Sequence, residues 1–97
     1  MRYTVLIQEV ASKRIKDIFL KIFYDYKNPI SAYSYIDGLI DAIYSLEILP
    51  NRCAYVKNGI YSDTLLSYRF LIYKSHKIIY RVEGDKVLVV DVVFAGE

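Results

Sequence analysis

The residue types that most often carry chemistry are sparse in this 97-residue sequence, which has one histidine, His76, and one cysteine, Cys53. With one of each there is no spacing typical of a zinc site, and the four glycines are too scattered to form a phosphate-binding loop. A Ser-His-Asp triad around His76 would use Asp91 and a serine in a nucleophile elbow, and no serine has that setting. We therefore expect no metal, no cofactor and no hydrolase centred on His76.

Positive charge is scattered through the second half of the chain, at Arg52, Lys57, Arg69, Lys74, Lys77 and Arg81. Such a scatter fits either a surface that contacts nucleic-acid phosphates or solvated charge around a sheet edge. The net charge of only +2 favours the second interpretation. Lys77 and Arg81, which share a sheet face on one predicted strand, are the best-placed pair for an anionic partner.

These cations lie in or near a β-rich stretch, residues 67–94, that two short breaks divide into three strands. Gly84-Asp85 predicts a two-residue type II′ hairpin, whereas Lys74-Ser75 predicts a loop of either two or four residues. The resulting register pairs Val82 with Val87, Tyr80 with Val89, Ile78 with Asp91, Arg69 with Tyr80 and Leu71 with Ile78.

Alternation along each strand divides the side chains between two faces of the sheet. The predicted first face carries Arg69, Leu71, Tyr73, His76, Ile78, Tyr80, Val82, Val87, Val89, Asp91 and Val93. The predicted second face carries Tyr68, Phe70, Ile72, Lys77, Ile79, Arg81, Leu88, Val90, Val92 and Phe94. Both faces are largely apolar, and a chain this short has helices enough for one, so we expect the uncovered face to meet a partner.

The first half of the chain predicts one strand and two helices. Residues 2–7 are rich in β-formers, and apolar side chains then recur at helical spacing at Ala11, Ile15, Ile18, Phe19, Ile22, Phe23 and Tyr26. Asn28-Pro29 ends this helix and caps the next, whose buried stripe is Ile36, Leu39, Ile40, Ile43 and Leu46 and which Pro50 stops. Residues 51–63 are the least regular, with a possible short strand at 54–56 and a turn at Gly59.

Length and composition predict a single domain spanning residues 1–97 with one modest core. The single cysteine fits a reducing compartment. No apolar run reaches the roughly 18 to 20 residues that span a bilayer, and the N-terminus lacks the pattern of a signal peptide. We therefore expect a cytoplasmic protein without a membrane contact.

The order of these elements and several motifs resemble the RelE/ParE superfamily, toxins of bacterial type II toxin–antitoxin systems. The motif residues are Ala11, Ile15 and Ile18 in the first helix, Asn28-Pro29, Leu46 and Pro50 around the second, and Arg69, Leu71, His76, Ile78, Tyr80 and Val82 in the strands. The resemblance implies an α+β fold, with an N-terminal strand, an antiparallel two-helix hairpin and a three- to four-stranded antiparallel meander. It also implies that Tyr80 points to the helices and that the second face is uncovered.

Within that superfamily, RelE-like members cut messenger RNA on the ribosome and ParE-like members poison DNA gyrase. The positions equivalent to two basic residues of the cleaving members are Tyr68 and Phe70 here, and the terminal Gly-x-Arg is replaced by Ala95-Gly96-Glu97. The resemblance therefore implies a ParE-like, plasmid-stabilisation type of toxin that inhibits growth by binding.

Three alternatives follow from the resemblance and stay open at this point. The ParE-like toxin would bind an antitoxin, and gyrase, through Tyr68, Phe70, Lys77, Ile79, Arg81 and Arg69. A ribosome-dependent endoribonuclease would instead use Lys77, Arg81 and His76 on messenger RNA. A degenerate, non-toxic member would keep antitoxin binding alone, and any of the three could form a homodimer.

Overall fold

The computed structural model describes residues 2–62 and 65–96, and it contains four strands and two helices. Their bounds are β1 Thr4–Ile7, α1 Glu9–Tyr26, α2 Pro29–Tyr44, β2 Arg69–Tyr73, β3 His76–Glu83 and β4 Lys86–Phe94. The sheet order is β1-β4-β3-β2, with β1 parallel to β4 and the other neighbours antiparallel. The predicted α+β fold is confirmed, and the parallel contact of β1 makes the four-stranded sheet a mixed one. No helix in the described part is long and apolar enough to cross a membrane.

The helical hairpin has the boundary that Asn28-Pro29 predicts. Lys27 ends α1 in the left-handed conformation, and the Asn28 side chain accepts hydrogen bonds from the backbone amides of Ile30 and Ser31. Pro29 stands at the first helical position, where its missing N–H costs nothing. The second helix ends at Tyr44, earlier than Pro50, because two short 3-10 turns, Ser45–Glu47 and Pro50–Arg52, replace its expected last turns.

Both predicted hairpins are present as two-residue loops. Gly84 has a φ of 61°, which a type II′ turn requires at its first central position, and β3 and β4 meet across it. Lys74 also has a positive φ, of 50°, so the loop between β2 and β3 is the shorter of the two lengths considered. Four of the five predicted pairs are confirmed, namely Arg69–Tyr80, Leu71–Ile78, Tyr80–Val89 and Val82–Val87.

The core lies between α1, α2 and the first face of the sheet. Its fully or nearly fully buried members are Ala11, Leu39, Ile43, Leu46, Ile78, Tyr80, Val87, Val89 and Val92. Tyr80 is the largest of them, and its hydroxyl donates a hydrogen bond to the carbonyl oxygen of Pro50. Burial raises the pKa of Tyr80 above its ordinary value, so the phenol stays neutral in the core. The predicted orientation of Tyr80 toward the helices is confirmed.

The predicted register is wrong beyond Val89, where β4 contains a bulge. Ile79 lies opposite Asp91 while Tyr80 lies opposite Val89, so Val90 is an extra residue on β4. Ile78 consequently faces Val92 instead of Asp91. The bulge exchanges the faces of the residues that follow it, so Val92 enters the core on the first face and Asp91 turns to the second.

Candidate functional site

A segment of the chain itself covers part of the second face, which the sequence predicted to be bare. This segment, residues 54–62, is called the strap. It runs first beside β2, where the amide of Val56 donates to the carbonyl of Tyr68 and the amide of Phe70 donates to the carbonyl of Ala54. It then turns at Gly59, whose φ is 84°, and reaches β4. Ile79, predicted to be exposed on this face, is therefore only 3% exposed.

The far end of the strap is held by a hydrogen bond to a buried carboxylate. The hydroxyl of Tyr61 donates to Oδ2 of Asp91 at 2.7 Å, and Asp91 is 2% exposed. The Nε of Arg14, which reaches Asp91 from α1, lies 3.2 Å from Oδ1, and the backbone amide of Val92 donates to the same oxygen. Burial, reinforced by the hydrogen bond to Asp91, raises the pKa of Tyr61 to about 12. Tyr61 therefore remains a donor at all physiological pH values.

The bulge in β4 explains why this carboxylate is available to the strap. Without the extra residue, Asp91 would point into the apolar core, where an unpaired charge is very costly. The bulge turns it to the side on which Tyr61 can donate to it and Arg14 can reach it. Bulges commonly re-aim a side chain in this way beside functional sites.

Four residues predicted for the second face line one cavity beneath the strap, namely Phe70, Lys77, Ile79 and Phe94. The ammonium of Lys77 lies 5.0 Å from the centre of the Phe70 ring. Tyr68, also predicted for this face, stands at the flank with its ring 5.3 Å from that of Tyr61 in an edge contact. The structure thus brings most of the predicted binding residues together.

Arg81 and Arg69, which were also predicted to bind a partner, do not line the cavity. Arg81 lies along β3 outside the cavity lining and forms an ion pair with Glu83, two residues further on the same strand. Arg69 donates to the carbonyl of Cys53 and to the hydroxyl of Tyr55, and its guanidinium lies 4.0 Å from the centre of the Tyr55 ring. Arg69 therefore anchors the beginning of the strap, and two of its donors are used within the chain.

His76 lies on the opposite side of the sheet from Lys77. Its Nδ1 is 2.7 Å from the hydroxyl of Tyr35 on α2, and its ring makes edge contacts with the rings of Tyr35 and Phe94. Burial lowers the pKa of His76 below its usual value near 6.5, so the neutral form is favoured. The three residues considered for a ribonuclease are therefore divided between two faces.

Sequence reasoning missed the contribution of Arg14 and Tyr61, and it assigned Asp91 to the wrong face. A signal for Asp91 existed, because one carboxylate within an otherwise apolar strand must have buried partners or a special backbone geometry. Arg14 had no such signal, since a cation on the exposed side of an amphipathic helix is ordinary.

The cavity between strap and sheet has a volume of about 720 Å³. Its walls are mainly apolar, with a few charged groups, which is the usual character of binding pockets of this size. Asp91 is held by donors from Arg14, Tyr61 and Val92, so it serves as a structural anchor for the cavity wall. This arrangement suits non-covalent binding of a partly apolar ligand.

No protein-family model matches this chain, and no curated protein matches its sequence. Several solved structures share its fold, and two of them come from toxin–antitoxin systems. A chain of the chromosomal ParDE toxin–antitoxin system from P. aeruginosa superposes with a TM-score of 0.76 at 13% identity, covering 96% of each chain. A chain of the toxin–antitoxin complex RelBE2 from Mycobacterium tuberculosis superposes with a TM-score of 0.66 at 13% identity, covering 100% of this chain and 95% of that one. The RelE/ParE-like fold that the resemblance implied is thereby confirmed.

Proposed function

We propose that this chain, which shares its fold with chains of the ParDE and RelBE2 systems, is the toxin component of a type II toxin–antitoxin system. The observation that carries the proposal is the likeness of fold over nearly the whole length of both neighbours. We further propose that the toxin is ParE-like, that it acts by binding DNA gyrase, and that a small cognate antitoxin neutralises it.

The placement of the charged residues supports binding over cleavage. Attack by a ribose 2′-hydroxyl on the neighbouring phosphate needs a base, an acid and positive charge around the same phosphate. Lys77 and Arg81 on the second face supply positive charge, but the imidazole of His76 lies among the rings of the first face. The carboxylate of Asp91 is already engaged by Arg14 and Tyr61, so its oxygens are occupied within the chain.

Controlled induction of this chain in bacteria, with and without the protein encoded by the adjacent reading frame, tests the proposal. We expect growth to stop on induction alone, with a DNA-damage response and intact messenger RNA, and to recover when the neighbouring protein is co-expressed. Normal growth at strong induction would contradict a toxic role and favour a non-toxic, antitoxin-binding protein.

Lys77→Ala separates the two toxic mechanisms, with Lys16→Ala on α1 as its charge-matched control. If the chain is an endoribonuclease, primer extension will find cuts in phase with codons, and Lys77→Ala will remove them while Lys16→Ala will not. Such cuts would contradict the ParE-like assignment but leave the toxin assignment intact.

A further inference from the structure

The side of the helical hairpin that faces away from the sheet is formed by one exposed stripe from each helix. Apolar residues of both helices pack into or against the core, namely Ala11, Ile15, Ile18, Leu39 and Ile43. Side chains half a turn away on each helix therefore point to solvent. They are Lys13, Asp17, Leu20 and Tyr24 on α1, and Ile30, Ser34, Asp37 and Asp41 on α2, and all eight are exposed. This surface is called the outer face.

The outer face is apolar at the end where the two helices are joined. Tyr24 near the end of α1 is 68% exposed, and Ile30 at the start of α2 is 78% exposed. Leu20 and Tyr33, which are also exposed, lie one turn further from the connection on their respective helices. Large apolar side chains exposed together on two neighbouring helices are typical of an interaction site.

The other end of the outer face carries opposite charges on its two helices. Lys13 stands on α1, whereas α2 carries Asp37 and Asp41 and has no cation along its length. Within residues 2–62 and 65–96, neither of these carboxylates forms an ion pair, and Lys13 pairs only with Glu9, one turn away on α1. An exposed pair of that kind contributes little to stability, so Lys13 is free to exchange its partner.

The two stripes are in register along the hairpin. The rings of Phe19 and Tyr33, whose centres are 5.0 Å apart, mark the level at which α1 and α2 lie side by side. Lys13 is six residues from that level and Asp41 eight, which corresponds to about 9 Å and about 12 Å along the helix axes, toward the same end. Ile30 lies toward the opposite end, as Tyr24 does.

We infer that two copies of this chain associate through their outer faces, about a two-fold axis that runs along the hairpin between α1 and α2. Such an axis places α1 of each copy against α2 of the other at the same level, and every contact occurs twice. Lys13 then pairs with Asp41 of the partner subunit, and Tyr24 packs on Ile30 of the partner subunit. The inference goes beyond the proposed function and does not depend on it.

Charge favours a second copy over other occupants of the outer face. A nucleic acid would meet the two unpaired carboxylates of α2, which repel phosphate. A second copy instead brings a cation to those carboxylates and an apolar end to an apolar end, and opposite charges that meet in this way also fix the register of an interface. Asp17, the remaining acidic residue of the α1 stripe, then lies at the level of the uncharged Ser34 of the partner subunit.

The dimer leaves the other side of each copy accessible. The strap and its cavity lie on the second face of the sheet, whereas α1 and α2 cover the first face. Self-association through the outer face therefore does not compete with binding at the cavity. Two copies joined in this way present two cavities at once.

Charge reversal tests the predicted ion pair, with the dissociation constant of the dimer measured by sedimentation velocity over a range of concentrations. Lys13→Glu and Asp41→Lys each place like charges opposite one another twice in the dimer, so each should raise the dissociation constant on the order of tenfold or more. The double variant Lys13→Glu/Asp41→Lys restores opposite charges, and its dissociation constant should return to within about threefold of the wild-type value.

Two control variants reverse charges of the same kind outside the outer face. Lys21, which is exposed on α1 and pairs with Asp25 one turn away, matches Lys13, so Lys21→Glu is its control. Asp85, an exposed carboxylate in the turn between β3 and β4, supplies Asp85→Lys as the control for Asp41→Lys. Both should dimerise within about twofold of the wild-type chain, since surface changes outside an interface are nearly neutral.

Ile30→Glu tests the apolar end of the outer face without disturbing the fold. Ile30 is largely exposed, and a carboxylate in the first turn of a helix interacts favourably with the helix dipole, so the thermal stability of the monomer should not fall. Dimerisation should weaken on the order of tenfold or more, because a charge replaces an apolar contact at two places in the interface.

Each other outcome contradicts the inference. A wild-type chain that remains monomeric at the highest concentration overturns it, and so does a dimer that Lys13→Glu, Asp41→Lys and Ile30→Glu leave intact. Single reversals that weaken the dimer without recovery in the double variant contradict the pairing of Lys13 with Asp41. A monomeric chain that loses binding of the adjacent-frame protein through Ile30→Glu would assign the outer face to that protein instead. None of these results bears on whether the chain is a toxin.

Discussion

The two faces of the sheet are built from the same strands but are covered in different ways. Ile78 and Ile79 are neighbours on β3, and both are almost completely buried. Ile78 packs against a core closed by two helices, whereas Ile79 lies beneath the strap and beside a cavity of about 720 Å³. The difference teaches that the burial of one residue does not distinguish a packed core from the wall of a cavity, because the packing on the covering side differs between them.

The polar groups of the two faces show the same contrast. On the first face, the hydroxyl of Tyr80 is neutral and satisfied by one carbonyl, that of Pro50. On the second face, a buried carboxylate, Asp91, needs donors from α1, from the strap and from its own strand. The first face therefore relies on apolar packing, and the second on a charged cluster that joins three separate parts of the chain.

Truncation of the two adjacent isoleucines is the largest effect that we predict. Ile78→Ala should reduce the free energy of unfolding by about 3–5 kcal/mol, near the upper end for such truncations, because the surrounding core cannot close the gap. Ile79→Ala should cost about 2 kcal/mol, since a cavity already lies beside the side chain and fewer contacts are lost. Denaturant unfolding measures both values, and equal losses would show that the two faces are packed alike.

The link between Tyr61 and Asp91 gives the next largest effect. Asp91→Ala should cost about 1–3 kcal/mol, because it leaves the donors of Tyr61 and Arg14 without their acceptor, and Tyr61→Phe about 1 kcal/mol. In the Asp91→Ala background, Tyr61→Phe should have almost no further effect, because the hydrogen bond is already absent. Tyr24→Phe, at a ring that is 68% exposed, is the matched control and should change stability by less than about 0.5 kcal/mol. Independent, additive losses in the double variant would contradict the link.

The third comparison of the two faces adds one methyl group to a side chain on each, and its expected effect on stability is the smallest. A Cβ on Gly38 of α2 would stand 1.9 Å from the hydroxyl oxygen of Tyr73. Alanine in place of glycine stabilises a helix by about 1 kcal/mol, but the overpacking against Tyr73 costs more. Gly38→Ala should therefore reduce the free energy of unfolding by roughly 1 kcal/mol net. Val93→Ile should change stability by less than about 0.5 kcal/mol, since its extra methyl group has the cavity to occupy.

Tyr73→Phe tests whether crowding by the hydroxyl of Tyr73 causes the cost of Gly38→Ala. It removes the atom nearest to the added Cβ, so it should reduce the cost of Gly38→Ala. Thermal or denaturant unfolding of the single and double variants measures the change. An unreduced cost would mean that crowding by the hydroxyl of Tyr73 is not the cause.

Much of the fold follows from local signals in the sequence. Asn28-Pro29 marks the boundary of the two helices, Gly84 marks the second strand hairpin, and alternation places Tyr80 on the same face as Leu71, Ile78 and Val82. Each of these depends on neighbours within a few residues or across one tight turn, where geometry leaves little choice. The predicted register accordingly holds from Arg69 to Val89.

The features that the sequence did not predict depend on contacts between distant parts of the chain. The bulge at Val90 shifts the register by one residue and places Asp91 on the side where Arg14 and Tyr61 reach it. The strap is an irregular segment whose path is fixed mainly by Arg69, Tyr61 and the edge of β2. The alternation of side chains describes one strand by itself, so it does not predict contacts with residues that are distant in the sequence.

By itself, the sequence determined the kind and order of the elements, the hairpin turns and, as far as Val89, the residues that share a sheet face with Tyr80. Only the tertiary structure decided the parallel pairing of β1 with β4, the face of Asp91 and the cover over Ile79. The physical reason is that backbone preferences act over a few residues, whereas a buried charge is satisfied by whichever groups the folded chain brings to it.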